Sequence, residues 1–191
     1  FSPEVIRALL AAGDLKSASQ WFIMLKNAAL LDSNAAKILG EIQPLARLAG
    51  AIDDTDWNGA GLAKWWQISN SQKEEGAVSP EVIQTRAALL FNLLDSFGDE
   101  VGDEEWGLLL DGPAQSTSVM PQPAFWRSLE IAAQNLRIGE TILLSLLALG
   151  ESGPAQASPT VLHKVIKSLH VIGLEQEARA LALESAVASG L

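Results

Sequence analysis

The chain contains no cysteine and no tyrosine among its 191 residues. Without thiols, disulfides, thiolate metal sites and cysteine nucleophiles are all excluded. Long hydrophobic runs are also missing. The longest strongly apolar stretch, Ile142 to Leu149, is interrupted by Ser145 and is less than half the ~20 residues that a helix needs to cross a bilayer. No cationic leader with an apolar stretch and a small-residue cleavage site is visible, and Phe1 is not a start methionine, which fits a processed product or an excised piece. Period-two alternation is absent and β-branched runs are short, so no strand is expected. Basic residues are scarce, 13 against 23 acids. Residues 53–111 hold 13 of those acids and only three bases, so the whole net charge of −10 resides there. Such a field repels phosphate backbones and anionic headgroups, which argues against a nucleic-acid partner.

What is present is helical spacing. Apolar residues make up 48% of the chain and charged residues 19%, a composition that folds around a core. Leu15, Ala18, Phe22, Leu25 and Ala29 step by three and four, as do Ile83, Ala87, Leu90, Leu94 and Phe97. Ser2-Pro3, Ser79-Pro80 and Ser158-Pro159 each precede branched aliphatics. Serine at an N-cap accepts a bond from an orphan N–H, and proline at the first helical position needs no donor. Gly13, Gly98 and Gly173 provide left-handed helix ends. The spacing predicts helices over 3–12, 15–30, about 33 onward with a break or kink at Pro44, a short one over 62–68, then 80–97, a piece around 104–110, 123–137, 139–149, 159–172 and 174–189. Short connections fold consecutive helices back on one another. The expectation is a single all-α domain over 1–191, with possible sub-units 1–76, 77–150 and 151–191.

In Gly13 to Phe22, the glycine turn, the small Ala18 five positions on and the aromatic Phe22 nine positions on resemble the turn and second helix of a tetratricopeptide-like α-solenoid repeat. Gly173, Ala178 and Ala182 keep the same offsets. The opening aromatic pattern and closing proline of a true tetratricopeptide are missing. The resemblance implies antiparallel helix hairpins stacked in a solenoid-like array that holds other proteins, with a compact helical bundle as the alternative.

Candidate sites concentrate in the acidic half. Asp54, Asp56, Asn58 and Gly59 match the first half of an EF-hand loop, where alternate oxygen ligands surround Ca2+. Its twelfth position is Trp65 instead of a bidentate glutamate, so calcium would need a carboxylate from elsewhere; the other reading is an Asx-rich turn. Asp99, Glu100, Asp103, Glu104 and Glu105 form a carboxylate cluster that suits a general acid and base if one is buried, or a solvated helix start. Trp65 and Trp66 point about 100° apart on a helix, so with Trp57 they offer anchors for a partner or fill the core. His163 and His170 lie roughly 10.5 Å apart along one helix face, too far to share a metal. Gly150-Glu151-Ser152-Gly153 follows a helix and is no nucleophile elbow.

The functional expectation is a non-enzymatic protein–protein interaction or scaffold module. It would use an acidic, Trp-containing central surface formed by Trp57, Trp65, Trp66, Asp99, Glu100, Asp103, Glu104 and Glu105 to meet a basic partner. The alternative is a hydrolase-like enzyme whose carboxylates assemble from the same segment.

Overall fold

The computed structural model describes residues 3–52, 59–74, 78–110 and 121–191. These residues form ten α-helices and no strand: α1 (Pro3–Ala11), α2 (Leu15–Ala28), α3 (Ser33–Leu48), α4 (Gly59–Glu74), α5 (Pro80–Ser96), α6 (Asp103–Gly107), α7 (Pro123–Gln134), α8 (Ile138–Leu149), α9 (Pro159–Val171) and α10 (Glu175–Ala188). A single 3-10 turn, Pro154–Gln156, lies between α8 and α9. Ser158 caps α9 by accepting from the Val161 N–H, whereas Ser79 makes no side-chain cap bond. Ser2 falls outside the described residues.

The centre of the fold is α5. Ala87, Ala88, Leu89, Leu90 and Phe91 are all buried. Five consecutive helical residues sweep more than one full turn, so no face of this stretch is left for solvent. A helix apolar all round must be enclosed. Here α3, α4, α9 and α10 all pack against α5, and Trp106 of α6 sets its ring edge-on to Phe91 with centroids 5.8 Å apart.

That enclosure overturns the solenoid-like array and the tetratricopeptide-like resemblance. In an open repeat array each unit touches only its neighbours. Here α1 packs on α10, and α5 packs on α9 and α10, so the ends of the chain meet and the helices close into a compact bundle. The local hairpin signal still marks two hairpins: Ala18, Phe22, Ala178 and Ala182 are buried, and Gly13 and Gly173 take positive φ values of 72° and 82°. A turn of this kind specifies how two helices meet and leaves open how the pairs are arranged.

Two predicted boundaries also change. Helix α3 runs through Pro44 without a break, with Ile42, Pro44, Leu45, Ala46 and Leu48 all buried; burial on both sides offsets the lost backbone bond. Helix α4 extends well past Ile68, to Glu74, with the Ser71 hydroxyl turned back to the Ile68 carbonyl at 2.7 Å instead of ending the helix. Buried Gly40 lies against the Ile68 side chain, so a methyl group there would collide with α4.

Polar contacts fasten the closure. Arg179 of α10 donates from Nη1 to the carbonyls of Leu48 at 2.9 Å and Arg47 at 3.3 Å in the last turn of α3, where carbonyls run out of intrahelical donors; the Arg47 oxygen also accepts from the Gly50 N–H at 2.9 Å. Its guanidinium also lies 4.7 Å from the Phe97 ring centroid and pairs with Glu175 at 2.6 Å. Glu175 contacts His170 as well. Partial burial pushes the Glu175 carboxyl up, but the His170 hydrogen bond and the Arg179 and His170 charges outweigh it and hold the group below its ordinary value of 4.5.

Two outcomes follow from this packing. Leu90→Ala should cost about 2–5 kcal/mol, read as a lower urea midpoint, while Leu30→Ala, at a position 81% exposed, should stay within about 0.5 kcal/mol of the parent. A depressed carboxyl stabilises the fold above its unfolded value and loses that effect as pH falls through the folded one. Melting temperatures of Glu175→Gln should therefore lie below the parent near pH 6 and converge with it as the solution is acidified below 4.5.

Candidate functional site

The acidic segment forms one wall of an open cavity of about 440 Å³ between α5, α6 and the start of α9. Ala88 and Asn92 come from α5, Asp103, Trp106 and Gly107 from α6, Leu109 and Leu110 from the turn that follows, and Pro159 and Thr160 from α9. Local sequence explains the arrangement. Asp103 and Trp106 are three apart and share one side of a short helix, so the carboxylate and the indole face the same space. Their scaffold is held from two directions, by the Phe91–Trp106 ring contact and by Gln84, whose side-chain amide donates to the Leu108 carbonyl at 3.2 Å. Leu110 is 85% exposed at the rim.

The remaining members of the acidic cluster are not equivalent. Glu100 and Glu104 are exposed and Glu105 is half-buried. Asp99 is structural: its side chain is 9% exposed and accepts from Arg47 Nε at 3.0 Å to both oxygens, with Nη2 2.5 Å from Oδ1. This forked, charge-assisted contact joins the end of α5 to α3. Asp99 is thereby committed to holding the acidic loop against the bundle.

Of the tryptophans named from sequence, Trp65 is buried at 5% exposure and Trp66 is half-buried beside it, with ring centroids 6.5 Å apart. Trp65 lines a small cavity of about 60 Å³ with Arg7, Glu41 and Arg86, on a different part of the molecule from Asp103. Trp57, Asp54, Asp56 and Asn58 lie outside the described residues. Trp65, at the position where calcium's bidentate ligand would stand, belongs to the core. The two histidines have separate partners. His163 Nδ1 sits 3.2 Å from the Asn92 carbonyl and 3.4 Å from Asp95, while His170 meets Glu175 and the edge of Phe97.

Sequence reasoning missed Trp106, Leu110, Asn92 and Thr160. The Asp103–Trp106 spacing was available as a signal; the contribution of α5 and α9 was not, because it depends on how distant helices cross. A second cavity, about 230 Å³ between α7 and α9, also went unread. It is lined by Trp126, Leu129, Glu130, His163, Lys164 and Lys167 among others, with Lys164 5.7 Å above the Trp126 ring and 3.5 Å from Glu130. Among the described residues no group of three histidines or acids is placed to hold a metal, and no helix is long and apolar enough to cross a membrane.

Comparison with protein families, with curated proteins and with solved structures finds no match to this chain.

The role of Asp99 is testable. Arg47→Met would leave a mostly buried carboxylate without its partner and should destabilise by about 3–5 kcal/mol. Pairing it with Asp99→Leu should restore most of that loss, because the uncompensated charge is gone; a double-mutant cycle in urea measures both.

Proposed function

We propose that this protein is a non-enzymatic interaction module whose α5–α6–α9 cavity receives a basic segment of another protein anchored by an apolar side chain. The observation that carries this reading is the meeting of one carboxylate, Asp103, with Trp106, Leu109 and Leu110 around a single open cavity. Apolar walls supply the area that anchors a side chain. Asp103, with exposed Glu100 and Glu104 nearby in the chain, favours a lysine or arginine beside that anchor and speeds its encounter at low salt. The acidic surface anticipated from sequence is kept in this proposal, with Trp106 as its aromatic element in place of the buried Trp65.

A second reading is favoured by one feature of the same cavity. Asp103 shares its lining with Asn92 and Thr160, polar groups that could orient a substrate for hydrolysis with Asp103 as the acid or base. The two readings give different results with one variant. If the cavity docks a peptide, Asp103→Asn weakens binding of a Lys- and Leu-containing peptide about tenfold, the equivalent of ~1.4 kcal/mol. Leu110→Asp should weaken it further, and the affinity should fall with added salt. If the cavity is hydrolytic, Asp103→Asn abolishes turnover of an ester or amide probe and changes its binding little. Tryptophan fluorescence titration and a chromogenic hydrolysis assay on the same preparations separate them.

A further inference from the structure

Helix α8 is the most apolar of the helices in its sequence, yet its fully buried residues are Thr141 and Ser145. The larger side chains Leu143, Leu146 and Leu147 point to solvent, joined by Leu136 and Ile138 at the helix start, and these five are between 49% and 69% exposed. On the inner face Thr141 and Ser145 are the most deeply buried, flanked by half-buried Ile142, Leu144 and Leu149 where α8 packs on α7 and α9, with the Thr141 hydroxyl returned to the Arg137 carbonyl at 3.0 Å. The outer face is a leucine stripe. Between Ile138 and Gly150 the only charged residue is Glu140.

We infer that this stripe is the two-fold seam of a homodimer, in which α8 packs antiparallel against α8 of a second copy. Self-complementarity singles out that occupant. An antiparallel pairing centred on Leu143 sets Leu147 opposite Gly139 of the other copy, and Leu136 opposite its Gly150. Gly139 is exposed and has nothing within 4 Å of where a side chain would begin, so it is a notch for the facing leucine. Exposed Arg137, which pairs with Glu140 of its own helix at 2.8 Å, stands two positions from the residue that faces exposed Glu151 of the second copy in this register, and the antiparallel arrangement opposes the two helix dipoles favourably. Leu136, Leu143, Leu146 and Leu147 at this exposure present on the order of 300–400 Å² per copy, while Ile138 stands about 140° round the helix from Leu143 and outside the seam. Two copies then bury roughly 600–800 Å² of hydrocarbon, most of the apolar share of a standard interface.

An independent feature points the same way. Leu136 is the one non-glycine among the described residues with a positive φ, 54°, a conformation that costs an L residue about 1–2 kcal/mol. Other hairpin turns here use glycine at that position, as at Gly13 and Gly173. Leucine at the end of the stripe is a costly choice for the monomer and a useful one for the seam. The other exposed apolar group, Ile23, Met24, Leu30 and Leu31, is interleaved with Lys26 and Asn27 and lacks this self-complementarity.

The chain lacks cysteine, so its seam can be tested by introducing one thiol at a time. The parent should be a dimer by sedimentation equilibrium in the micromolar range, and Leu143→Glu with Leu147→Glu should convert it to monomer while circular dichroism and melting temperature show it folded. Leu143→Cys, at the two-fold axis, should form an intermolecular disulfide at least tenfold faster than Leu136→Cys. A parent that stays monomeric throughout that range overturns the inference, including one that sediments with neutral phosphatidylcholine vesicles. So does a dimer dispersed by Ile23→Glu and not by the α8 substitutions, or equal cross-linking at the two positions.

Discussion

A helix whose middle has no solvent face dictates the arrangement of its neighbours, and α5 is that helix. Once Ala87 through Phe91 are all buried, the surrounding elements must form a complete shell. Four long helices and the short α6 supply it. Burying each large aliphatic side chain contributes about 1.5–3 kcal/mol, and this favourable term falls away wherever the shell opens. The contacts between α1 and α10 follow from the same requirement, since a shell around a rod closes only when its first and last members meet. Arg179 makes that closure specific: by donating to the terminal carbonyls of α3 and lying on Phe97, it fixes α10 against one end of α3.

The acidic loop depends on this closure. Asp99 follows α5 directly, and its ion pair with Arg47 ties the loop to α3 at the helix end where Arg179 also acts. Two arginines therefore gather α3, α5 and α10 at one place. The Glu100–Glu105 stretch leaves that point and folds α6 back over Phe91, which brings Trp106 and Asp103 beside α9. The cavity exists because α6 is too short to cover the start of α9, leaving Leu109 and Leu110 at its rim. Charge is thus carried on a loop whose two ends are fixed, one by an ion pair and one by a ring contact.

Helix positions were legible because each depends on neighbours close in sequence: proline at the first turn, glycine at the last, an apolar step of three or four. The path of the chain through space was not. Gly13, Ala18 and Phe22 describe how one pair of helices meets, and the same hairpin fits an open array or a closed bundle. What separates them is the uninterrupted apolar run of α5, whose five buried neighbours signal enclosure more strongly than any repeat offset. Trp65 illustrates the limit on sites. Beside Trp66 it reads as an anchor or as core with equal ease, and only the positions of Ile83 and Arg86 on α5, which line a cavity with it, decide. Pro44 shows the opposite error, a strong local rule overridden because buried residues on both sides hold the helix together.

Helix α8 completes the argument about enclosure by reversing it. Periodicity identifies an apolar helix but carries no sign for which face turns inward; the direction is set by how closely the neighbours approach. Thr141 and Ser145 are the most deeply buried residues of α8, and half-buried Ile142, Leu144 and Leu149 flank them against the core. Leucines at positions 141 and 145 would push α8 outward and open the shell around α9. Leu143, Leu146 and Leu147 take the opposite side of the helix and meet the surface. Water is a poor environment for that stripe, so the close approach that completes the interior creates, on the opposite side of the same helix, a surface whose free energy falls when it is covered.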